Sequence, residues 1–428
     1  MATLRKLFKL WNSIRYKAQE RRRRIEQSVE RTRKFANYWF STRRLPKALC
    51  STDGKRFLEL EMMIKEYLSF RMKEPGASRA IASQLLNVLK HCDQITYEDE
   101  GTAEAYALLH FLDRYHRFQL IFNLLFEKKL MPMRSTGLNI LDVGTGPGPS
   151  MFAVSDFYSN SLGIKLNRNS VFREIQFSID YVERSSQFRN WLHHFTEFAN
   201  YYSPTQKQWA VPHHHGTFYD FKNLEFDQRS IEWFTGDNGG SDFVNHITRH
   251  RFDLVVFSNF LTTKEQTVSF SKEIENCARF LRNNGLLIVV GAKSSSKKYN
   301  DVYKEIEKIV LSGNYSTRKY TAICYKVDIG NSTMSYSWRD AHGQRLKSII
   351  KHFLYDLDVA AKDSIPVEVF KILNNTIQHN YERAIEWDLM VFRKKARPRM
   401  KAIKQSSRDH FQKASIPTRN ERAPIVDQ

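Results

Sequence analysis

The spacing of apolar residues changes character along the chain, and each change marks a unit. In residues 1–47, Leu4, Leu7, Phe8, Trp11 and Ile14 recur at helical spacing, with Arg5, Lys6, Lys9, Arg15 and Lys17 between them. Residues 48–135 read as several helices. Leu58, Leu60, Met62, Ile64 and Leu68 share one stretch, and Ala103 to Leu125 forms another, rich in Leu, Phe and Tyr. From residue 136 onward short apolar runs alternate with helical stretches. The runs are Leu138 to Val143, Ile175 to Val182, a weaker Thr217 to Phe221, Phe252 to Phe257, Leu286 to Val290 after an Asn283-Asn284-Gly285 turn, and Trp387 to Phe392. Strands separated by helices predict an α/β fold, a mostly parallel sheet with helices on both faces. The expected organisation is a helical extension over 1–47, a helical domain over 48–135, an α/β domain over 136–395 and a flexible tail over 396–428, where three prolines and much charge replace apolar periodicity.

Charge sharpens this division. The net charge is +21. Residues 1–47 hold 15 Lys and Arg against three acidic residues, and residues 393–428 hold 11 against three, so the body between them is close to neutral. Basic ends are suited to holding a polyanion. In the first segment Arg21 to Arg24 are followed by Phe35, Tyr38, Trp39 and Phe40 between Lys34 and Arg43-Arg44. Rings beside cations stack on bases while the charges hold phosphates, so RNA is the favoured partner. An anionic membrane surface, plain packing of the first apolar stripe on the body, and an organellar transit segment are the other readings.

Composition excludes several classes. No run of about 18 apolar residues is present to span a membrane, and the basic start leads into no apolar stretch of a secretory signal. Cys50, Cys92, Cys277 and Cys324 are far apart, which argues against a disulfide framework or a cysteine-rich metal site. A reducing, cytoplasmic compartment is the expectation. His213-His214-His215 has no paired acid or cysteine nearby, and adjacent histidines do not converge comfortably on one ion, so no metal is expected.

The chemistry concentrates in Asn139-Ile-Leu-Asp-Val-Gly-Thr-Gly-Pro-Gly148. An apolar strand runs into three alternating glycines, and Pro149 suits a first helical turn. Glycines allow a tight turn and close approach of a ligand. A dinucleotide site usually shows G-x-G-x-x-G. Here the pattern is D-x-G-x-G-x-G, and an acid just before the loop repels phosphate but attracts a cationic amino acid. The segment resembles the first motif of class I S-adenosylmethionine-dependent methyltransferases.

That resemblance implies a Rossmann-like methyltransferase sheet, with helices on both faces, preceded by the helical N-terminal domain. It further implies S-adenosylmethionine as the cofactor. Asp142 then helps hold the methionine amino group, and Gly144, Thr145, Gly146 and Gly148 line the cofactor. A second acid is expected after the second strand, reaching both ribose hydroxyls. Glu183 is favoured over Asp180, because the apolar run reaches Val182 and Ser185 or Ser186 then caps the next helix. The distance from Gly148 to Glu183 implies an insertion near 160–173. Asp220 in Phe-Tyr-Asp-Phe is the candidate beside the adenine. Ser258 and Asn259 follow the fourth strand, where the methyl is transferred. They either orient the acceptor or cap the next helix. The sequence there, Ser-Asn-Phe-Leu, departs from the D/N-P-P-Y/F pattern of base N-methyltransferases, and no cysteine is placed for attack on base carbons. Cys277 reads as core. Glu386-Trp387-Asp388 reads as the end of the sheet ahead of the last strand.

The helical start, Ala103-Glu-Ala-Tyr-Ala-Leu-Leu-His110 and the glycine motif also look faintly like the methyltransferase-like proteins of the small ribosomal subunit, although the cluster-binding cysteines of some of those relatives are absent. The expected function is methyl transfer on or beside RNA. A small-molecule or protein methyltransferase, and a non-catalytic RNA- or ribosome-associated assembly protein, are the alternatives.

Overall fold

A computed structural model describes residues 55–91, 97–133, 138–166, 177–202, 214–218, 252–293, 297–316, 320–330, 332–337 and 384–398, with isolated positions elsewhere. Apart from such isolated positions the basic extension over 1–47 lies outside the described residues, as do Asp220, His213, Cys50, Cys92 and the tail beyond Pro398.

Strands β1 (Leu138–Val143), β2 (Phe177–Val182), β3 (His214–Phe218), β4 (Phe252–Ser258), β5 (Leu281–Ala292), β6 (Tyr320–Lys326), β7 (Thr333–Ser337) and β8 (Ala384–Pro398) form one sheet. Its order is β3-β2-β1-β4-β5-β8-β6, with β7 also paired to β8. β1 to β5 pair in parallel, whereas β8 runs antiparallel to β5, β6 and β7.

Strand alternation explains how both faces are covered. Ile140, Leu254, Val256, Leu286, Ile288, Trp387, Leu389 and Val391 enter one core. Their neighbours Leu141, Val143, Val255, Phe257, Leu287, Val289, Met390 and Phe392 enter the other. Successive strand residues point to opposite faces, so a continuous apolar run such as β4, buried throughout, is what a doubly covered parallel strand requires.

The second core is closed by α8 (Ser271–Phe280) and α9 (Lys297–Ser312), with α7 (Lys264–Ser269) before them. The first core is closed by α5 (Pro149–Leu166) and α6 (Ser186–Tyr202) together with α1 (Lys55–Arg71), α2 (Ala77–His91), α3 (Thr102–Tyr106), a π-helical turn over Ala107–Phe111, and α4 (Leu112–Glu127). The helices of the 48–135 segment share this core with one face of the sheet. Tyr67 of α1 packs edge-on against Trp191 of α6, with ring centroids 4.9 Å apart. Arg56 Nε donates to Asp156 of α5 at 2.8 Å, and Tyr115 Oη of α4 donates to the same oxygen at 2.7 Å. All three side chains are buried.

Other boundaries differ from the sequence expectation. The third strand lies at 214–218 rather than 217–221, and β8 runs to Pro398, into the segment expected to be tail. Glu386, Trp387 and Asp388 lie inside β8 instead of ending the sheet. Glu386 pairs with Lys293, Trp387 is fully buried, and Asp388 accepts from Thr333 Oγ1 at 2.6 Å. β6 and β7 have no counterpart in the sequence reading.

Candidate functional site

The chain order reverses at β1. Going one way the sheet continues to β2 and β3, and going the other way to β4 and β5. Connections on the two sides therefore diverge and leave a crevice beyond the carboxyl ends of β1 and β4, the usual place for a ligand in an open α/β sheet. Register aligns Val143 with Phe257, so the Gly144–Gly148 loop and Ser258-Asn259 stand side by side.

Asp142 is fully buried near the end of β1. Its Oδ2 accepts from Ser150 Oγ, at the start of α5, while its Oδ1 is shielded from solvent and has no hydrogen-bond partner among the described residues. Burial pushes its carboxyl up to about 7. The Ser150 and Thr145 hydroxyls oppose that rise, and the charge of Glu183 adds to it. A buried acceptor oxygen left without a donor is costly. A cationic donor offered to that oxygen relieves the cost.

The three glycines differ in role. All have positive φ, 71° at Gly144, 57° at Gly146 and 91° at Gly148. A Cβ on Gly144 would lie 2.7 Å from the Phe260 side chain, and one on Gly148 would lie 2.5 Å from Leu192 Cδ2. At Gly144 and Gly148 the space a Cβ would take is thus filled by the Phe260 and Leu192 side chains. A Cβ on Gly146 would meet nothing within 4 Å. Thr145, buried between them, donates from Oγ1 to the Asp142 carbonyl at 3.1 Å and holds the turn.

Glu183 is the residue after β2, as expected, whereas Asp180 lies within the strand opposite Leu141. Its Oε2 accepts from Gly146 N–H at 2.7 Å and its Oε1 from Ser185 N–H at 2.9 Å. Burial pushes this carboxyl up to about 7, against those two backbone bonds and the charge of Arg189. Ser185 Oγ accepts from Phe188 N–H at 3.2 Å and so caps α6. The same hydroxyl donates to the Tyr97 carbonyl, linking the cap to the helical segment.

At the end of β4, Ser258 is buried and Asn259 adopts φ 49°. Asn259 N–H donates to the Val290 carbonyl at 2.8 Å. Neither residue caps the next helix. Thr263 does so, with its side chain accepting from Gln266 N–H at 3.1 Å. A left-handed backbone is uncommon for a residue with a side chain, although Asn tolerates it best. Here it turns the chain at the crevice.

Ser150, Phe260, Leu192 and Trp191, whose Nε1 donates to the Pro147 carbonyl at 3.2 Å, shape the loop without having been singled out in the sequence. Only Ser150 carried a usable signal, as a hydroxyl residue in the first turn of the helix after the glycines. Cys277 is buried in α8, and burial holds its thiol well above the usual range, consistent with core.

The parallel strand order that reverses at β1, the antiparallel β8 beside β5 and the D-x-G-x-G-x-G loop at the reversal are decisive together. The chain has a Rossmann-like α/β fold. No family model matches it, and no curated protein resembles it in sequence. Among solved structures, it is similar to coclaurine N-methyltransferase bound to N-methylheliamine and SAH. The identity is 13%, 78% of this chain and 94% of that one are covered, and the TM-score is 0.34. It is similar to the [4+2]-cyclase SpnF at 10% identity, covering 75% and 96%, with a TM-score of 0.33. It is also similar to YjhP from E. coli at 12% identity, covering 74% and 99%, with a TM-score of 0.33. Among the described residues no helix is long and apolar enough to cross a membrane.

Proposed function

We propose that the chain is an S-adenosylmethionine-dependent methyltransferase held on RNA by its basic terminal segments. The observation that carries the cofactor reading is the buried Asp142 Oδ1 without a donor, beside the one loop glycine whose Cβ direction is open. Asp142 is suited to the cofactor's ammonium group, directly or through water. Glu183 offers two carboxylate oxygens to a vicinal diol, exchanging the Gly146 and Ser185 N–H donors for hydroxyls. Gly146 lets the ligand approach the loop, with Thr145 bracing the turn. Asp220 stays the candidate for the adenine edge. When bound, S-adenosylmethionine supplies a methyl group on a sulfonium, which a neutral nucleophile attacks without a strong base, so alignment is the main requirement. Ser258 and Asn259 are the side chains suited to orient that nucleophile. RNA as the target is supported by the placement of charge at the two ends of the chain.

The test is transfer of label from methyl-labelled S-adenosylmethionine into separated RNA, protein and lipid fractions of a cell extract, wild type beside Gly146→Val. Label in RNA that vanishes with the variant supports the whole reading. Label in another fraction keeps the enzyme and removes RNA. Cofactor bound by calorimetry with no label anywhere would point to a binding or assembly protein.

A further inference from the structure

The first core takes the odd-numbered residues of β8: Trp387, Leu389 and Val391 are buried beneath the helices. The same face then continues with Arg393, Lys395 and Arg397. Register places Tyr325 opposite Arg393, Ile323 opposite Lys395 and Thr321 opposite Arg397. Cover ends at this point. Val327 and Ile329 still pack on the first core, and α4 stops at Glu127, with Lys128 Nζ 4.0 Å from where a Cβ on Gly330 would lie. Beyond it Thr321, Lys395 and Arg397 are exposed, Ile323 is 56% exposed and Tyr325 36%, while Arg393 is half-buried.

The opposite face of the same two strands is occupied. Ala322, Cys324 and Phe392 are buried in the second core, and Lys394 donates to the Arg279 carbonyl and lies 5.6 Å from the centroid of the Tyr315 ring. Alternation therefore sends one cation inward and leaves three outward. None of Arg393, Lys395 and Arg397 has a carboxylate partner among the described residues, and neither Tyr320–Lys326 nor Arg393–Pro398 contains an acid.

We propose that this exposed face of β6 and β8 is a docking surface for single-stranded RNA. Same-face residues on a strand are about 6.8 Å apart, so Arg393, Lys395 and Arg397 form a straight row of cations along one strand. Tyr325 and Ile323 form an apolar row beside it. Cations track a phosphate backbone while a ring takes bases by stacking, irrespective of sequence. A row of two apolar side chains is too small a stripe to enter a membrane interface on its own. The sequence that follows Pro398 is also basic, with Arg399, Lys401, Lys404 and Arg408. Because β8 is antiparallel to β5, the surface lies at the opposite end of the sheet from the Gly146 loop. It holds the strand and does not contact the reacting atoms. The choice of RNA rests on the proposed function, whereas the surface itself rests on register and exposure.

The experiment uses the full chain and a labelled oligouridine, with anisotropy followed across a salt series. Proteins compared are wild type, K395E/R397E, Tyr325→Ala, and a charge reversal of Arg21–Arg24. Cofactor affinity is measured on each as the check on folding. K395E/R397E is expected to weaken binding by about tenfold or more and to lower the salt slope by about 1.4, since each phosphate contact on a single strand contributes about 0.7. Tyr325→Ala is expected to weaken binding about fivefold without changing the slope. Wild-type RNA binding left intact by K395E/R397E and Tyr325→Ala, but lost on reversal of Arg21–Arg24, would overturn the surface and leave the RNA reading standing. No RNA binding by the wild type would overturn both. Binding to phosphatidylserine vesicles, but not oligouridine, through these residues would reassign the surface to a membrane and overturn the proposal.

Discussion

The backbone N–H of Gly146 donates to Glu183 Oε2 at 2.7 Å, so the loop after β1 and the residue that ends β2 are joined at the crevice where the sheet order reverses. The bond makes Gly146 the point of the loop at which backbone, carboxylate and open space meet. A Cβ there meets no atom within 4 Å, whereas at Gly144 it meets Phe260 at 2.7 Å.

Gly146→Val and Gly144→Ala should consequently fail in different ways. Gly146→Val is expected to lose at least about tenfold in cofactor affinity, near 1.4 kcal/mol. Its loss of stability should be limited to the left-handed backbone, about 1–2 kcal/mol. Gly144→Ala adds overpacking against Phe260, typically about 1–3 kcal/mol more. Calorimetry and denaturant unfolding on both proteins check this. Equal stability losses would show that the loop glycines are equivalent.

Both site carboxyls titrate at about 7 in the ligand-free protein, chiefly through burial. A cationic ligand at Asp142 and a diol at Glu183 favour the ionised forms, so binding below pH 7 must expel protons. Affinity should fall as pH drops from about 7.5 to about 6, approaching tenfold per pH unit for each group that must ionise. In the ligand-free chain the sign is opposite. A carboxyl whose folded pKa lies above its unfolded value loses stability as pH rises between the two. Asp142→Asn should therefore raise the melting temperature of the ligand-free protein at about pH 8, by about 1 °C per kcal/mol relieved, while abolishing cofactor binding. Affinity independent of pH over this window would exclude Asp142 from contact with the ligand's charge.

Asp156 accepts from both Arg56 and Tyr115, joining α1 and α4 to α5. Removing it takes away one of the two carboxylates that face the buried Arg56 guanidinium, Glu59 at 3.5 Å being the other, so Asp156→Ala is expected to cost about 3 kcal/mol. Because α1 to α6 share one core with the sheet, the variant should still unfold in a single transition. Two separate transitions, with the cofactor-binding part melting last, would instead mean that the helical segment is a domain of its own.

Asn259 has φ 49° and shares the end of β4 with Ser258. Glycine relieves that backbone strain. Asn259→Gly should leave stability unchanged or slightly raised and cofactor affinity unaltered, while lowering the rate of methyl transfer by about tenfold or more. Single-turnover transfer measured beside cofactor binding separates the two effects. An unchanged rate would reduce Asn259 to a turn residue.

Local chemistry made a large part of this protein legible in its sequence. β1 and β4 announce themselves because strands buried on both faces are continuously apolar. The glycine turn after Asp142 stands out because only glycine serves three positive-φ positions in a row of five residues. Glu183 is identified by the end of an apolar run just ahead of the Ser185 cap, and the segregation of positive charge is a property of the chain alone. What the sequence could not supply depends on which residues meet across long separations. The three glycines are chemically identical until Phe260 and Leu192 fill the space beside two of them. The sequence of the helical segment does not say what it packs on, whereas in the structure Arg56 and Tyr67 lie against α5 and α6. Glu386 to Asp388 look like a terminus until β7 pairs with them and extends the sheet. Arg393, Lys394 and Lys395 form a simple run of charge in the sequence, and the pleat of β8 buries Lys394 against Arg279 and leaves Lys395 in water. Backbone propensity and apolar period act within a few residues, whereas the direction a side chain takes relative to solvent is decided by the layers packed on the sheet, which only the tertiary structure assembles.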